Sequence, residues 1–487
     1  MESRLSLRIP DEIFRFFTNP GGHSLILNGT AGSGKTTFAL QTIEDMSELK
    51  SSYYVSTRVS DDSLLTQFPW LRANMRRGGV GLDDVNGNNT RSSRSGLKGL
   101  RGFEENAINI SSGEMSVSIG RELRDIEAIY EAVESNLPER SLVVIDSIDA
   151  MAEKYEISCS NLISTMQKDV VEHYGTNAIF VVENIDPKLD YLADGLVKLN
   201  IKEYRQRRIR EMDIVKLRGC EIFQPKYLYT LKGGKLRSFG LNDNLDPINP
   251  ESWTPISDLE NGISSGIMDL DRLLDGGLER GSITLIELGD GIPTSFTRIL
   301  EASLVSNFIS LGRGVFWVPL HKASAENSKN YVMNAIDEAL FDRLVRIPIS
   351  ANQSSMLAAK HIMAVEGLEA STDMDWKNIE YSLQGAESPF LSLICFDTME
   401  SIYGGNLMDK FMGHLAAIKS NNSVFVGITS PSTRSNERLT DLANVYIKID
   451  RIGGTIIMYG EEPFTGCNAV TYGEKERGGC VILTQIV

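Results

Sequence analysis

The chain has 487 residues, 41% hydrophobic and 23% charged, with a formal net charge of −16. That length gives two or three globular domains of ordinary composition. The acidic balance excludes broad sequence-independent binding to nucleic acid, which needs a positive surface, and no apolar run approaches the ~20 residues of a membrane span.

The opening segment MESRLSLRIPDEIFRFF is short and amphipathic and lacks the shape of a secretory signal. The five cysteines form no CxxC pair and the five histidines are scattered. Together these predict a cytoplasmic protein with reduced thiols and no His/Cys metal site.

HSLILNG predicts a strand, and KTTFALQTIEDM predicts a helix. Between them Gly29-x4-Gly34-Lys35-Thr36 satisfies the phosphate-loop pattern G-x-x-x-x-G-K-[ST] in its required setting. The residue types follow from the task. Glycines let backbone N–H groups wrap phosphates with no Cβ in the way. The helix N-terminus adds partial positive charge. The expected nucleotide cradle is Gly29, Thr30, Ala31, Gly32, Ser33, Gly34, Lys35, Thr36 and Thr37. Lys35 reaches the outer phosphates, and the Thr36 hydroxyl ligates magnesium. Farther along, LVVID predicts an apolar strand closing on Asp146, a second magnesium anchor. ATP and Mg²⁺ are the expected cofactors, with Lys35 and Asp146 as the catalytic pair.

Residues 72–101 are rich in Gly, Asn, Ser and Arg, and seven basic residues there face Asp83 and Asp84. This insertion reads either as a solvated loop or as a contact for a partner, a nucleotide or nucleic acid. EYRQRRIRE clusters Arg205, Arg207, Arg208 and Arg210. That cluster is either a solvated basic surface or a protein-binding one.

The second half repeats the first. LDRLLDGGLERGSITLIELGDGIPTSF has the layout of IFRFFTNPGGHSLILNGTAGSGKTTF. SLICFDTMES matches SLVVIDSIDA, setting Asp397 opposite Asp146, and two further segments pair in the same order at a spacing of about 250 residues. The apolar strand runs are continuous, as in parallel sheets buried on both faces. The expected fold is α/β: two tandem RecA-like phosphate-loop domains, each a largely parallel sheet with helices on both faces. Their expected bounds are 1–237 and 257–487, with the Pro/Asn/Asp-rich stretch 238–256 as linker. In the second copy Thr294 replaces the lysine, Pro293 and Leu288 replace glycines, and Asp290 adds negative charge. Gly291 and the Ser295 hydroxyl remain. A cradle without its lysine, and with a backbone donor removed by proline, is expected not to hold a triphosphate tightly.

ISSGIMDLDRLLDGGLERGSITLIE, at 263–287, is similar to the opening of KaiC-like and RadA-like domains, and IVKLRG, at 214–219, resembles the strand after their nucleotide site. The chain thus resembles the RecA superfamily, in its KaiC-like branch, over nearly its whole length. PGGHSLILNGTAGSGKTTFALQ and the two-domain length are similar to the GvpD group of archaeal gas-vesicle regulators. The resemblance implies nucleotides held between subunits of a homo-oligomer, with Lys216 and Arg218 reaching a neighbour's γ-phosphate. It also implies a repressor acting on a protein partner, a transcription activator. KaiC-like domains carry a Glu-Glu pair after the second strand; here those positions are Arg58 and Val59, and Asp61 and Asp62 come later. Without a placed carboxylate the attacking water is poorly oriented, so slow hydrolysis is expected. The expected function is a nucleotide-gated regulator. The alternative, a RadA-like recombination ATPase, fits the net charge poorly. An autokinase of the KaiC type needs two working sites.

Overall fold

The apolar runs become the inner strands of two mixed sheets. The computed structural model describes residues 8–46, 51–57, 61–71, 80–81, 124–184, 186–241, 254–320, 325–333, 336–350, 359–367, 369–404, 407–473 and 481–487. The first sheet contains β1 (Ser24–Gly29), β2 (Ser51–Ser56), β3 (Val80–Gly81), β4 (Ser141–Asp146), β5 (Asn177–Val181), β6 (Gly195–Tyr204), β7 (Arg207–Leu217), β8 (Lys226–Thr230) and β9 (Arg237–Phe239). Their order is β3-β2-β4-β5-β1-β6-β7-β8-β9. The strands are parallel from β3 through β6 and antiparallel from β6 to β9.

The second sheet contains β10 (Ile283–Leu288), β11 (Arg313–Val318), β12 (Val345–Ser350), β13 (Ile362–Val365), β14 (Glu387–Cys395), β15 (Val424–Thr429), β16 (Val445–Ile452), β17 (Thr455–Glu462), β18 (Asn468–Tyr472) and β19 (Val481–Gln485). Its order is β13-β12-β11-β14-β15-β10-β16-β17-β18-β19. The run β2-β4-β5-β1-β6-β7-β8 has the same sequence of neighbours as β11-β14-β15-β10-β16-β17-β18. The repeat read from the sequence is therefore a repeat of topology.

Burial on both faces follows from the pleat. Successive side chains point to opposite faces. Leu25 and Leu27 join one apolar cluster, with Phe16 and Phe38 of the helices Asp11–Thr18 and Lys35–Asp45. Ile26 joins another, with Ile129 and Met151 of the helices Arg124–Asn136 and Ile148–Tyr155. The second sheet does the same. Ile286 packs with Phe296 and Phe308 of the helix Thr294–Ser310, while Leu285 packs with Phe396 and Phe411. Both halves are thus α/β, with helices on each face of a largely parallel sheet.

The chain divides into one unit reaching to Gly240, which also holds Ile486–Val487, and another running from Leu241 to Gln485. Of the expected linker, 242–253 lies outside the described residues. In the insertion 72–101, Val80–Gly81 pair with Ser52 and Tyr53 as a short edge strand; its other residues lie outside the described ones. Among the described residues no helix is long and apolar enough to cross a membrane.

Candidate nucleotide site

The cradle forms where β1 ends and the helix Lys35–Asp45 begins. Gly29, Gly32 and Gly34 have φ of 155°, 73° and 95°, conformations that side chains rarely adopt. A Cβ on Gly29 would lie 2.2 Å from the Leu199 carbonyl oxygen of β6, and one on Gly34 would lie 2.8 Å from Leu231 Cδ1. Ser33 donates its N–H to the Thr30 carbonyl at 3.1 Å, closing a tight turn. Thr30, Ala31 and Gly32 are exposed, whereas Gly29, Ser33 and Thr37 are buried.

Lys35 Nζ folds back onto the loop, donating to the Gly29 carbonyl at 2.9 Å and the Thr30 carbonyl at 3.4 Å. Asp146 ends β4, two strands from β1. Parallel register brings it to the same sheet edge, where Thr36 Oγ1 donates to its Oδ2 at 2.7 Å. A hydroxyl beside one carboxylate, with phosphate oxygens and water completing the shell, suits Mg²⁺, which keeps several waters. The two predicted anchors are therefore brought together. Among the described residues no group of three His, Cys, Asp or Glu side chains could hold a metal by itself.

The structure brings to the site groups that the sequence reading did not place there. Tyr54, on β2 beside β4, donates its hydroxyl to the same Asp146 oxygen at 2.7 Å. Burial first, and then the Asp146 charge, pushes the phenol above its ordinary value. Behind the loop, Arg210 Nη1 donates to the Gly32 carbonyl at 2.9 Å, and the Tyr229 hydroxyl donates to the Ser33 carbonyl at 2.6 Å. Burial holds the Tyr229 hydroxyl up to about 12. No local motif marks Tyr54 or Tyr229, and the sequence places Arg210 only in the basic cluster; the strand order brings all three to the site.

The arginine cluster divides. Arg205 and Gln206, both at positive φ, make the tight turn between β6 and β7. Arg205 and Arg208 are exposed there, but Arg207 and Arg210 are 3% and 7% exposed. The surface expected from four arginines is thus offered by two, because β7 carries Arg210 beneath the loop.

Lys216 and Arg218 sit elsewhere. Gly29 is level with Leu199, and Lys216 is level with Leu196 and Ile26, three residues or about 10 Å back along the strands. Lys216 Nζ donates to the carbonyls of Ala193 and Asp190 at 2.6 and 3.2 Å, and burial lowers its basicity, with the Arg218 charge acting in the same direction. Arg218 pairs with Asp194 at 3.0 Å while its side chain stays 72% exposed. Both lie at the strand ends remote from their own loop. Of the positions where water-activating acids are expected, Arg58 and Val59 lie outside the described residues; Asp61 and Asp62 open the helix Asp61–Gln67.

The second unit has the same frame with different chemistry. Pro293 precedes the helix Thr294–Ser310, and Gly291 keeps a positive φ of 73°. A Cβ on Gly289 would lie 2.1 Å from Asp450 Oδ1, so a carboxylate is pressed against the loop. By strand register Cys395 stands where Asp146 stands in the first unit. Asp397 lies just beyond it, in the helix Phe396–Tyr403, and its Oδ1 accepts the Thr433 hydroxyl at 2.5 Å.

A family model described as "GvpD gas vesicle protein, P-loop domain" matches residues 13–215, and one described as "GvpD basic region 2" matches residues 252–348. Protein GvpD2 of Halobacterium salinarum is 25% identical over 94% of this chain and 92% of its own length. Protein GvpD1 of the same organism is 24% identical over 98% and 96%. The circadian clock oscillator protein KaiC of Parathermosynechococcus lividus is 25% identical over 60% of this chain and 50% of its own length.

Proposed function

We propose that this chain, a GvpD-like protein related to KaiC, is an ATP-binding regulator of gas-vesicle production in which nucleotide occupancy of the first unit gates contact with a protein partner. The observation that carries this reading is the contact of Thr36 with Asp146 at 2.7 Å behind an intact phosphate loop. Asp397, which the sequence repeat sets opposite Asp146, lies in the helix Phe396–Tyr403 and accepts from Thr433.

In this reading Lys35 leaves the Gly29 carbonyl for the outer phosphates. The backbone N–H groups from Gly29 to Thr37 wrap the chain of phosphates. Thr36 and Asp146 hold Mg²⁺, which neutralises phosphate charge when bound. Arg205 and Arg208, at the turn beyond the loop, are the exposed part of the basic cluster for the partner, a transcription activator of gas-vesicle genes. Lys216 and Arg218 serve the nucleotide of another copy. Hydrolysis runs far below the ~10 per second of a median enzyme, because no acid stands where water is activated in KaiC-like domains. The second unit acts as scaffold or partner surface.

Calorimetry with Mg-ATP tests the reading. About one nucleotide per chain is expected from one intact loop, and Lys35→Ala should abolish binding. Two per chain, or none, overturns it. The gating arm is read by whether the gas-vesicle activator co-purifies differently with ATP and with Lys35→Ala.

A further inference from the structure

Arg210 stands out as a buried cation that the magnesium and phosphate chemistry leaves unused. It lies on β7 opposite Ile201 of β6, two residues past Leu199, which is level with Gly29. That register carries its guanidinium behind the phosphate loop. Nη1 donates to the Gly32 carbonyl at 2.9 Å, and Nε donates to the carbonyl of Val487, a residue of the same unit. One strand farther, Tyr229 of β8 donates to the next carbonyl, Ser33, at 2.6 Å and is fully buried. Leu231, just after β8, fills the space beneath Gly34.

We propose that Arg210 and Tyr229 are positioning residues of the phosphate loop: Arg210, on the Gly32 carbonyl, fixes the turn in which Ser33 donates its N–H to Thr30, and Tyr229, on the Ser33 carbonyl, turns the Gly34 N–H toward the phosphates. The inference rests on the ATP-binding reading above. A peptide group is a dipole, so anchoring its oxygen fixes the direction of its N–H. A guanidinium on the Gly32 oxygen also polarises that peptide, strengthening the Ser33 N–H that closes the turn onto Thr30. In the second unit Arg451, from β16, reaches the Gly291 carbonyl at a looser 3.4 Å. The closer contact belongs to the loop that retains its lysine.

The test measures the affinity of the full chain for Mg-ATP, Mg-ADP and AMP by calorimetry, with thermal melting of the nucleotide-free protein alongside. Arg210→Met keeps the length and removes the charge; Tyr229→Phe removes one hydroxyl and keeps the ring. Each should weaken ATP and ADP about tenfold, equivalent to about 1.4 kcal/mol, and leave AMP unchanged, because the loop wraps the β-phosphate and not the α-phosphate alone. Arg210→Lys should recover part of the loss. A purely structural role would lower the melting temperature and leave affinity intact. The proposal is overturned if the folded variants bind ATP as the parent does, or if AMP weakens equally. Should Arg210→Met fail to fold, Tyr229→Phe decides alone. Failure of the parent chain to bind ATP instead overturns the ATP-binding reading.

Discussion

Tyr54 and Thr36 share one oxygen of Asp146: the phenol and the threonine hydroxyl each donate to Oδ2 at 2.7 Å. The two donors come from different elements, β2 and the helix Lys35–Asp45. Together they fix the orientation of the carboxylate, which with Thr36 would hold Mg²⁺. If Asp146 anchors Mg²⁺ as proposed, the phenol is a positioning group for it, since carboxylate acceptors make the stronger hydrogen bonds. Tyr54→Phe should raise the Mg²⁺ concentration needed for half-maximal retention of ATP about tenfold, the size of one lost charge-assisted bond. Binding of ATP in excess EDTA should not change. Equal Mg²⁺ midpoints for parent and variant would remove Tyr54 from the site. A fluorescent ATP analogue titrated with Mg²⁺ reads this directly.

The loop glycines are not equivalent. Gly29 combines a φ of 155° with a prospective Cβ 2.2 Å from the Leu199 carbonyl, in a strand pair that cannot separate without breaking the sheet. Gly32 has a φ of 73° and open space. Gly29→Ala should abolish ATP binding and lower the melting temperature sharply. Gly32→Ala should cost about 1–2 kcal/mol of backbone strain and keep the fold. Gly291→Ala, with the same φ of 73° and open space in the second unit, should leave ATP affinity untouched. Calorimetry and melting curves on the three variants give the ranking, and equal behaviour of the first two would refute the steric argument.

Arg218 is 72% exposed on its side chain although it pairs with Asp194. Such a surface pair contributes at most about 1 kcal/mol, so its loss should barely move the melting temperature. If Arg218 serves another copy's γ-phosphate, light scattering should show a larger particle with a non-hydrolysable ATP analogue than with ADP. Arg218→Ala should erase that difference while the isolated chain keeps its ATP affinity. A parent protein that stays monomeric in every nucleotide state makes Arg218 an internal contact.

Glu301 is fully buried on the helix Thr294–Ser310, where its Oε1 accepts the Leu320 N–H at 3.2 Å. Burial raises its carboxyl from 4.5 to about 8, against smaller lowering effects that include the Arg298 charge. The folded state thus binds a proton that the unfolded chain releases above 4.5. This contribution to stability is complete below 4.5 and is lost as pH rises through 8. His414 opposes it at lower pH. Burial lowers that imidazole from 6.5 to about 4, so its contribution is lost as pH falls from 6.5. Between 6.5 and 8 the Glu301 effect stands without that opposition. Stability of the second unit should fall there by at most about 1.4 kcal/mol per pH unit. Denaturant unfolding of Glu301→Gln should show a flatter profile across that window; an unchanged slope would assign the effect to another group.

The sequence by itself determined what is local or repeated. A strand, a glycine loop, a lysine and a helix are contiguous, so Gly29 to Thr37 could be named before any folding. Continuous apolar runs announced strands buried on both faces, and the order of four paired segments announced the duplication. The loss of the lysine at Thr294 was equally legible. The tertiary structure alone decided which side chains at a distance meet. Arg208 and Arg210 stand two apart on one strand, yet Arg208 is exposed near the turn and Arg210 is buried under the loop. The difference is where each falls along β7 relative to Gly29, which is set by pairing through β6. Tyr54 reaches Asp146 across 92 residues because β2 and β4 are neighbours in the sheet. Lys216 and Arg218 lie away from their own cradle because β7 runs back along β6. Strand register is a long-range property, fixed by packing of the whole sheet, and no short stretch of sequence contains it.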